Sequence, residues 1–586
     1  MKTKNKISVT LLIIWSLLTC SVYAQQYEWA KRVGGAADED VRYIVTDNTG
    51  NIYITGSFRG SDVDFDPGPD TAYLSSEGGA DIYVSKYDSN ANYLWSIQIG
   101  GTDEDIPAQI KIDASGNVLI NGWFYSPEID FDPGPSTANL ISAGGCDIFF
   151  AKYDQNGNYL WAHNIGGAWF DGAHGLTLDL QNNVYVTGYF TGQNIDFDPG
   201  PGVVLLTSIP PSSDAFFAKY DSLGLCKWAK KIGGSDYEVI NGIDLDDDGN
   251  LFVSGLFSGT YVDFNPGGGT AFLNSAGGYD IFFAKYDALG NYKWVKGIGG
   301  TGDDVGGNIR LNNSGEIYID GNFKSSTIDF DPGPGIACLS ANGGWDMFFA
   351  KYSADGNYIW ANGIGGAGDD SGVFRLSGEE YVHFTGTFSG NHVDFDPGAD
   401  SAFLSSAGYN DIAIALYDSS GHYLYANRLG GEGDDIAYCL GLDNSGNILL
   451  GGSFNGINSD FDPGSGTAFL SSVGGYDLFF AKYSETMTGI DNSQANKLSD
   501  ETELHQNYPN PFQGSTTIAF DLPKEQFVVL SIHDFYGRLI TTLLEQKLDA
   551  GQHEVQWFGE NHAGGVYFYC LEINGKKIYR KLIIRK

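Results

Sequence analysis

The sequence predicts an all-β protein in two parts: a ring of seven four-stranded sheets, then a small C-terminal β-sandwich. Three observations predict it. The tract Asp-Phe-Asp/Asn-Pro-Gly begins at Asp64, Asp130, Asp196, Asp263, Asp329, Asp394 and Asp460, at intervals of 65–67 residues. Each interval holds four short apolar runs separated by Gly- and Asn-rich turns. The repeat is also out of phase with the chain ends. An aromatic strand at Tyr27-Glu28-Trp29-Ala30-Lys31 has no predecessor, and the last Ala-Lys-Tyr strand, Asp477–Tyr483, has no follower. An open stack would leave both as adhesive edges. A ring lets residues 27–33 complete the last sheet, which makes a seven-bladed β-propeller.

Composition agrees. Gly is 81 of 586 residues, about twice the usual share, and Tyr and Phe number 35 and 37 against only 33 Lys plus Arg. Such a mixture favours short strands and tight turns over helices, and 42% apolar residues exclude disorder. The net charge is −40; residues 1–24 carry +3 and 505–586 carry +1, so the tract between carries −44. That surface argues against nucleic acid and anionic lipid as partners.

From the N-terminus, Lys2, Lys4 and Lys6 precede the apolar run Ile7–Leu18, and Val22-Tyr23-Ala24 reads as a cleavage site before Gln25. Residues 1–24 are therefore read as a signal peptide. A lipoprotein reading at Cys20 ranks below it, because Thr19 is a poor residue before the cysteine. No stretch of the mature chain could cross a membrane as a helix. Five cysteines remain, at unrelated places in their repeats, which argues against a disulfide framework or a zinc site.

The second copy illustrates one unit. Pro107–Asp113 is a first strand, 114–117 a turn, and Asn117–Phe124 a second strand. Asp147–Tyr153 and Tyr159–Ile165 follow around the turn 154–158. In Ile148-Phe149-Phe150-Ala151 both alternating faces are apolar, as burial between two neighbouring sheets requires. The Gly-Gly, Asp-x-x-Gly-Asn-x-Tyr and Phe-x-Ala-Lys-Tyr elements resemble the bacterial β-propeller repeat family of secreted proteins over residues 27–484. That resemblance implies a fold and no particular activity.

Residues 485–504 are polar and aperiodic and read as a linker. Six strand-like runs follow: Thr516–Asp521, Phe527–His533, Leu539–Leu544, His553–Phe558, Val566–Ile573 and Lys577–Ile584. Gln506-Asn507-Tyr508-Pro509-Asn510-Pro511-Phe512, Asp534-Phe535-Tyr536-Gly537-Arg538 and Gly565-Val566-Tyr567-Phe568-Tyr569 resemble the type A C-terminal sorting domain of the type IX secretion system. The resemblance implies passage across an outer membrane by that machinery. It also implies removal of the domain and display or release outside the cell.

Candidate chemistry centres on the acidic loops. Six pairs offer oxygen ligands for Ca2+, the one cofactor the sequence suggests. They are Asp64 with Asp66, Asp130 with Asp132, Asp196 with Asp198, Asp329 with Asp331, Asp394 with Asp396, and Asp460 with Asp462. A further acid follows each Gly-Gly, at Asp40, Asp105, Asp171, Glu238, Asp304, Asp370 and Asp435, on the same rim of the ring. The competing reading, a Pro-held turn capped by the second Asp, is favoured, because Asn265 stands in for that Asp in the fourth copy. Asp244-Leu245-Asp246-Asp247-Asp248-Gly249 starts like a calcium loop, but Gly255 occupies the twelfth position, so it reads as a hairpin turn. No catalytic residues are assigned: the nine His are scattered and no nucleophile motif is present. Copies three (Trp169–His174) and six (Arg375–Glu380) depart most from the others and read as loop drift. The sequence is therefore expected to encode an exported, non-catalytic scaffold that binds or displays an extracellular protein or glycan. The alternative is a polysaccharide hydrolase or lyase built on the same ring.

Overall fold

The computed structural model describes residues 23–378, 381–487 and, with short gaps, 503–585. The signal-peptide reading of residues 1–22 and the linker reading of 488–502 fall outside the described residues. Every described element is a strand or an isolated bridge, and the chain divides into a unit spanning Gln25–Glu485 and a C-terminal unit.

Among the described residues, the larger unit contains seven four-stranded sheets, six of them built from strands that follow one another in chain order. In the second these are Asp105–Ile112, Val118–Phe124, Asp147–Tyr153 and Tyr159–Ile165. The first strand begins two residues before Pro107 and carries a β-bulge between Pro107 and Gln109, which breaks the alternation that located it in the sequence. The seventh sheet joins Asp435–Leu442, Ile448–Phe454 and Asp477–Met487 to Tyr23–Val33 from the start of the chain. Trp29 packs edge-on against Phe480, with ring centroids 5.6 Å apart, and Arg32 pairs with Asp477. Each acidic tract is flanked by a short ladder, such as Val63–Asp64 with Tyr73–Leu74, too short for any periodicity to reveal.

The first strand of each sheet packs beside that of the next, and Asp435–Leu442 packs beside Tyr43–Thr46. The backbone bond from Asp105 N to Ala80 O, between sheets one and two, has its counterpart from Glu39 N to Tyr476 O, between sheets one and seven; both are 2.7 Å. Phe150 meets Tyr220, Phe217 meets Tyr286, Phe283 meets Tyr352, and Phe480 meets Tyr87, all with centroids 4.5–4.6 Å apart. The apolar core is thus a set of clusters between neighbouring sheets, one of which joins Ile44, Ile54 and Tyr83 of the first to Leu449, Leu478 and Phe480 of the seventh. Burial on both faces explains why Asp147–Tyr153 is buried at every residue.

In the C-terminal unit a three-stranded sheet (Glu503–Leu504, Ser515–Leu522, Gly551–Phe558) and a four-stranded sheet (Leu539–Leu548, Gln526–Asp534, Gly565–Ile573, Lys576–Ile584) share one core. Ile518, Phe520, Leu530, Ile532, Tyr569 and Leu582 fill it.

Candidate functional site

The acidic tracts form self-contained loops. Asp64 Oδ1 accepts the amides of Asp66 (3.1 Å) and Ala72 (2.8 Å), and Asp66 Oδ1 accepts that of Gly68 (2.7 Å). The other five pairs repeat this arrangement. Asp130, Asp196, Asp329, Asp394 and Asp460 each accept two backbone amides across their loop. Asp132, Asp198, Asp331, Asp396 and Asp462 each accept the amide of the Gly two residues on. Asn265 fills the role of the second Asp with its amide oxygen, because an acceptor is all the turn requires.

Asp64, Asp66, Asp130, Asp132, Asp196, Asp198, Asp329, Asp331, Asp394, Asp396, Asp460 and Asp462, offered above as Ca2+ ligands, thus all accept backbone amides of their own loops. Among the described residues no group of three or more His, Cys, Asp or Glu is disposed to hold a metal ion. The intervening Phe is buried, and its carbonyl accepts the hydroxyl of the Tyr ending the third strand. This bond runs from Tyr87 to Phe65 through Tyr483 to Phe461, at 2.8–3.2 Å in all seven copies. Asp246 Oδ1 accepts the amides of Asp248 and Asn250, so the segment after Asp244 is a hairpin turn.

The acids after Gly-Gly are buried turn-formers. Asp105, Asp171, Glu238, Asp304, Asp370 and Asp435 each accept the amide of the second Gly, at 2.7–3.0 Å. In the first copy this role falls to Glu39 (3.0 Å to Gly35 N), which corrects the assignment of Asp40. Asp40 instead accepts the amide of Ser57. The four-residue spacing from Gly to acid selects Glu39, and a glutamate reaches the amide as well as an aspartate does.

A second buried acid, at the start of each third strand, belongs to the same junctions. The carboxyl groups of Asp477, Asp81, Asp147, Asp214, Asp280 and Asp346 occupy the space a Cβ would need on Gly34, Gly100, Gly166, Gly233, Gly299 and Gly365. The first Gly of each Gly-Gly is therefore demanded by close approach. Burial drives these acids upward: Glu39 and Glu238 to about 8, Asp81, Asp171 and Asp280 to about 7, and Asp105, Asp346 and Asp435 to about 6. The paired acid adds to the rise, as Asp477 does for Glu39 and Asp411 for Asp435.

The sevenfold pattern breaks on the first strands of the sheets. One position of the first strand is Val45, Lys111, Thr177, Asp244, Arg310, Arg375 and Gly441 in successive copies. Three of these converge on Tyr43, itself only 7% exposed. Arg310 Nη2 donates to the Tyr43 hydroxyl at 3.0 Å, the Arg375 guanidinium lies 5.2 Å from its ring centroid, and the Lys111 ammonium lies 5.7 Å away. Burial alone would raise the Tyr43 hydroxyl; Arg375, Lys111 and Arg310 outweigh it and lower the group to about 7. Copy six therefore departs at Arg375 on a first strand, and copy three at His174, which stacks on Trp123 and bonds Asn241. The loop-drift reading is corrected at both residues, while Glu379 and Glu380 lie outside the described residues. The missed signal was a basic residue recurring at one repeat position in a chain poor in Lys and Arg.

In the smaller unit, Asn507 accounts for part of the Asn-Tyr-Pro-Asn-Pro motif. Its side-chain amide bonds Thr516 Oγ1 at 2.8 Å, and its backbone N–H donates to the Tyr569 hydroxyl. Residues 506–585 match the family described as the secretion system C-terminal sorting domain. This segment is a sorting domain. The sorting domain implies handling by the type IX secretion machinery and export to the outer surface or beyond it.

Two curated relatives are similar to this chain. An uncharacterized WD repeat-containing protein of Acanthamoeba polyphaga mimivirus is 24% identical over 466 residues, covering 67% of this chain and 34% of that protein. The regulatory protein FlaEY of Caulobacter vibrioides is 28% identical over 149 residues, 25% of this chain and 15% of its own length. The chain thus spans about a third or less of these relatives. Two solved structures are similar at low level. Dimeric latent PorU from Porphyromonas gingivalis has 10% identity, 96% and 34% coverage and a TM-score of 0.14. A glycoside hydrolase family 32 protein from Bifidobacterium adolescentis has 8% identity, 97% and 94% coverage and a TM-score of 0.23. At these TM-scores neither bears on fold or activity.

Proposed function

We propose that this is an exported, non-catalytic binding or display scaffold: a seven-bladed β-propeller closed by its N-terminal strand and delivered by its sorting domain. Residues 1–22 belong to a signal peptide and 488–502 to a linker; the sequence-based bounds of 1–24 and 485–504 shrink because Tyr23–Val33, Asp477–Met487 and Glu503–Leu504 are strands. The observation that carries the reading is the recurrence of one loop, held by the same bonds in all seven copies, in a chain that ends in a sorting domain. Support for ring closure comes from the strand Tyr23–Val33 beside Asp477–Met487 and from Glu39 N bonded to Tyr476 O. The mimivirus relative's description as WD repeat-containing is in keeping with a repeat scaffold.

Deleting residues 506–585 is expected to abolish surface display and release in a host with type IX machinery, leaving the rest of the protein in the periplasm. Fractionation and immunoblotting check this, and undiminished export of the truncated chain would refute the role of the tail. The purified protein, offered extracellular polysaccharides and proteins on a solid support, is expected to be retained by one class without forming product. Chain cleavage seen by mass spectrometry would replace the scaffold with a glycan-cleaving enzyme.

A further inference from the structure

We propose that the centre of the Gln25–Glu485 unit is an oxyanion-binding site formed by Lys111, Arg310, Arg375 and Tyr43, suited to a ligand bearing a carboxylate or a phosphate. It is separate from the rim loops and independent of what they bind.

The argument begins with position. Tyr43, Lys111, Arg310 and Arg375 stand on the first strands of sheets one, two, five and six. Arg310 reaches Tyr43 across 267 residues of sequence. Side chains from such separate sheets meet only where the first strands surround a common space. Lys111, Arg310 and Arg375 are each half-buried.

The partners of these cations are the second argument. Arg310 Nη1 donates to the carbonyl of Ile309 and Arg375 Nη1 to that of Phe374. No ion pair joins any of the three to a carboxylate of the described residues. The nearest acids are committed elsewhere. Asp244 accepts the amides of Leu245 and Leu311, and Asp320 accepts those of Asn308 and Phe374. Arginine's planar fork matches carboxylate and phosphate oxygens. Three cations gathered without ion pairs, in a tract of net charge −44, make a place built for an anion.

Tyr43 sets the pH dependence. Facing it are Lys111, Arg310 and Arg375, with Cys439 beside it and Asp244 and Asp320 beyond the cations. As a phenolate, Tyr43 satisfies the cluster from within; as a phenol, it donates a hydrogen bond and leaves the cations to the ligand. The anion therefore binds more tightly below the Tyr43 titration, which lies near 7.

The test uses the purified full chain, with inorganic phosphate and glucuronate as probes. Ultraviolet tyrosinate absorbance is expected to reveal one tyrosine titrating near neutrality, absent in Tyr43→Phe. Saturating anion is expected to raise that midpoint by about one unit, roughly a tenfold gain in proton affinity. Response to phosphate alone identifies a phosphoryl ligand, and response to glucuronate alone a carboxylate; Arg310→Gln and Arg375→Gln abolish either. Because those variants remove structural bonds too, calorimetric titration of Tyr43→Phe is the second measurement. It keeps the cations and is expected to bind glucuronate, whose charge is constant in this range, with little pH dependence between 7 and 8, above the Asp320 titration near 6. A midpoint unmoved by both probes at concentrations on the order of 10 mM, a range that detects even weak affinities, overturns the proposal; so does a Tyr43→Phe protein that binds neither.

Discussion

Removing residues 25–33 is expected to unfold the larger unit or drive it into aggregates, far beyond the effect of trimming an ordinary terminus. The strand Tyr23–Val33 is the outer strand of the seventh sheet, and nothing else in the described chain can take its place. Its loss removes the Trp29 contact with Phe480, the Tyr27 contact with Tyr483 at 6.3 Å, and the Arg32 partner of buried Asp477. A buried carboxylate without its cation is costly, and the freed edge is a template for pairing with other chains. The milder Trp29→Ala is expected to cost roughly 2–3 kcal/mol, below the usual 3–5 for a fully buried aromatic. Thermal melts and size-exclusion chromatography read both changes. A truncated protein that melted within about 2 °C of the parent, less than a 1 kcal/mol change typically produces in a mid-sized domain, would show that the ends are not joined.

Alkaline pH is expected to destabilise this protein, and mild acid to favour it. In the unfolded chain the junction acids ionise near pH 4. In the folded unit they hold protons to about 6–8. Across that window the native state binds protons that the unfolded state has shed, so the stabilisation is complete below pH 4 and is lost as pH rises through 6–8. Turn acids act in the opposite direction. Burial pushes Asp47, Asp113 and Asp443 up, but their hydrogen bonds outweigh it and hold them below the ordinary value. Their contribution is present above pH 4 and disappears as pH falls further. The two sets place the optimum near pH 5. One pK unit corresponds to about 1.4 kcal/mol, so several such acids imply a fall in Tm of roughly 5–10 °C by pH 9 in a unit this large. Glu39→Gln and Glu238→Gln are expected to flatten the alkaline limb while changing little at pH 5. A melting temperature that stayed level or climbed between pH 5 and 9 would contradict the buried-pair account.

The rim loops and the central site differ in how far the sequence reveals them. Asp64 and Asp66 are visible because they recur with their neighbours, and Asn265 already points to a turn rather than a ligand. What no spacing shows is that Asp132, Asp198, Asp331 and Asp462 each spend an oxygen on a glycine amide inside their own loop. The four-residue spacing from the second Gly already distinguishes Glu39 from Asp40 in the sequence, and the Gly35 amide bears it out. His174 reads as loop variation because the bulge between Ala173 and Gly175 blurs the alternation that marks a strand, whereas Arg375 lies on a regularly paired strand whose run into Ser377-Gly378 looks like a turn. Tyr43 gives no signal at all: an aromatic residue in a strand is ordinary until three cations surround it.

The sequence alone determined the period, the four strands of each unit, the turns and the presence of a C-terminal sorting module. All of these follow from local alternation, turn chemistry and short-range motifs. Only the tertiary structure decided which strands of successive sheets lie side by side, and so which residues meet there. Lys111, Arg310 and Arg375 share a repeat position, but their distance from Tyr43 depends on how successive sheets are rotated against one another. That rotation arises from packing between sheets, through contacts such as Phe480 with Tyr87 that no local window of sequence contains.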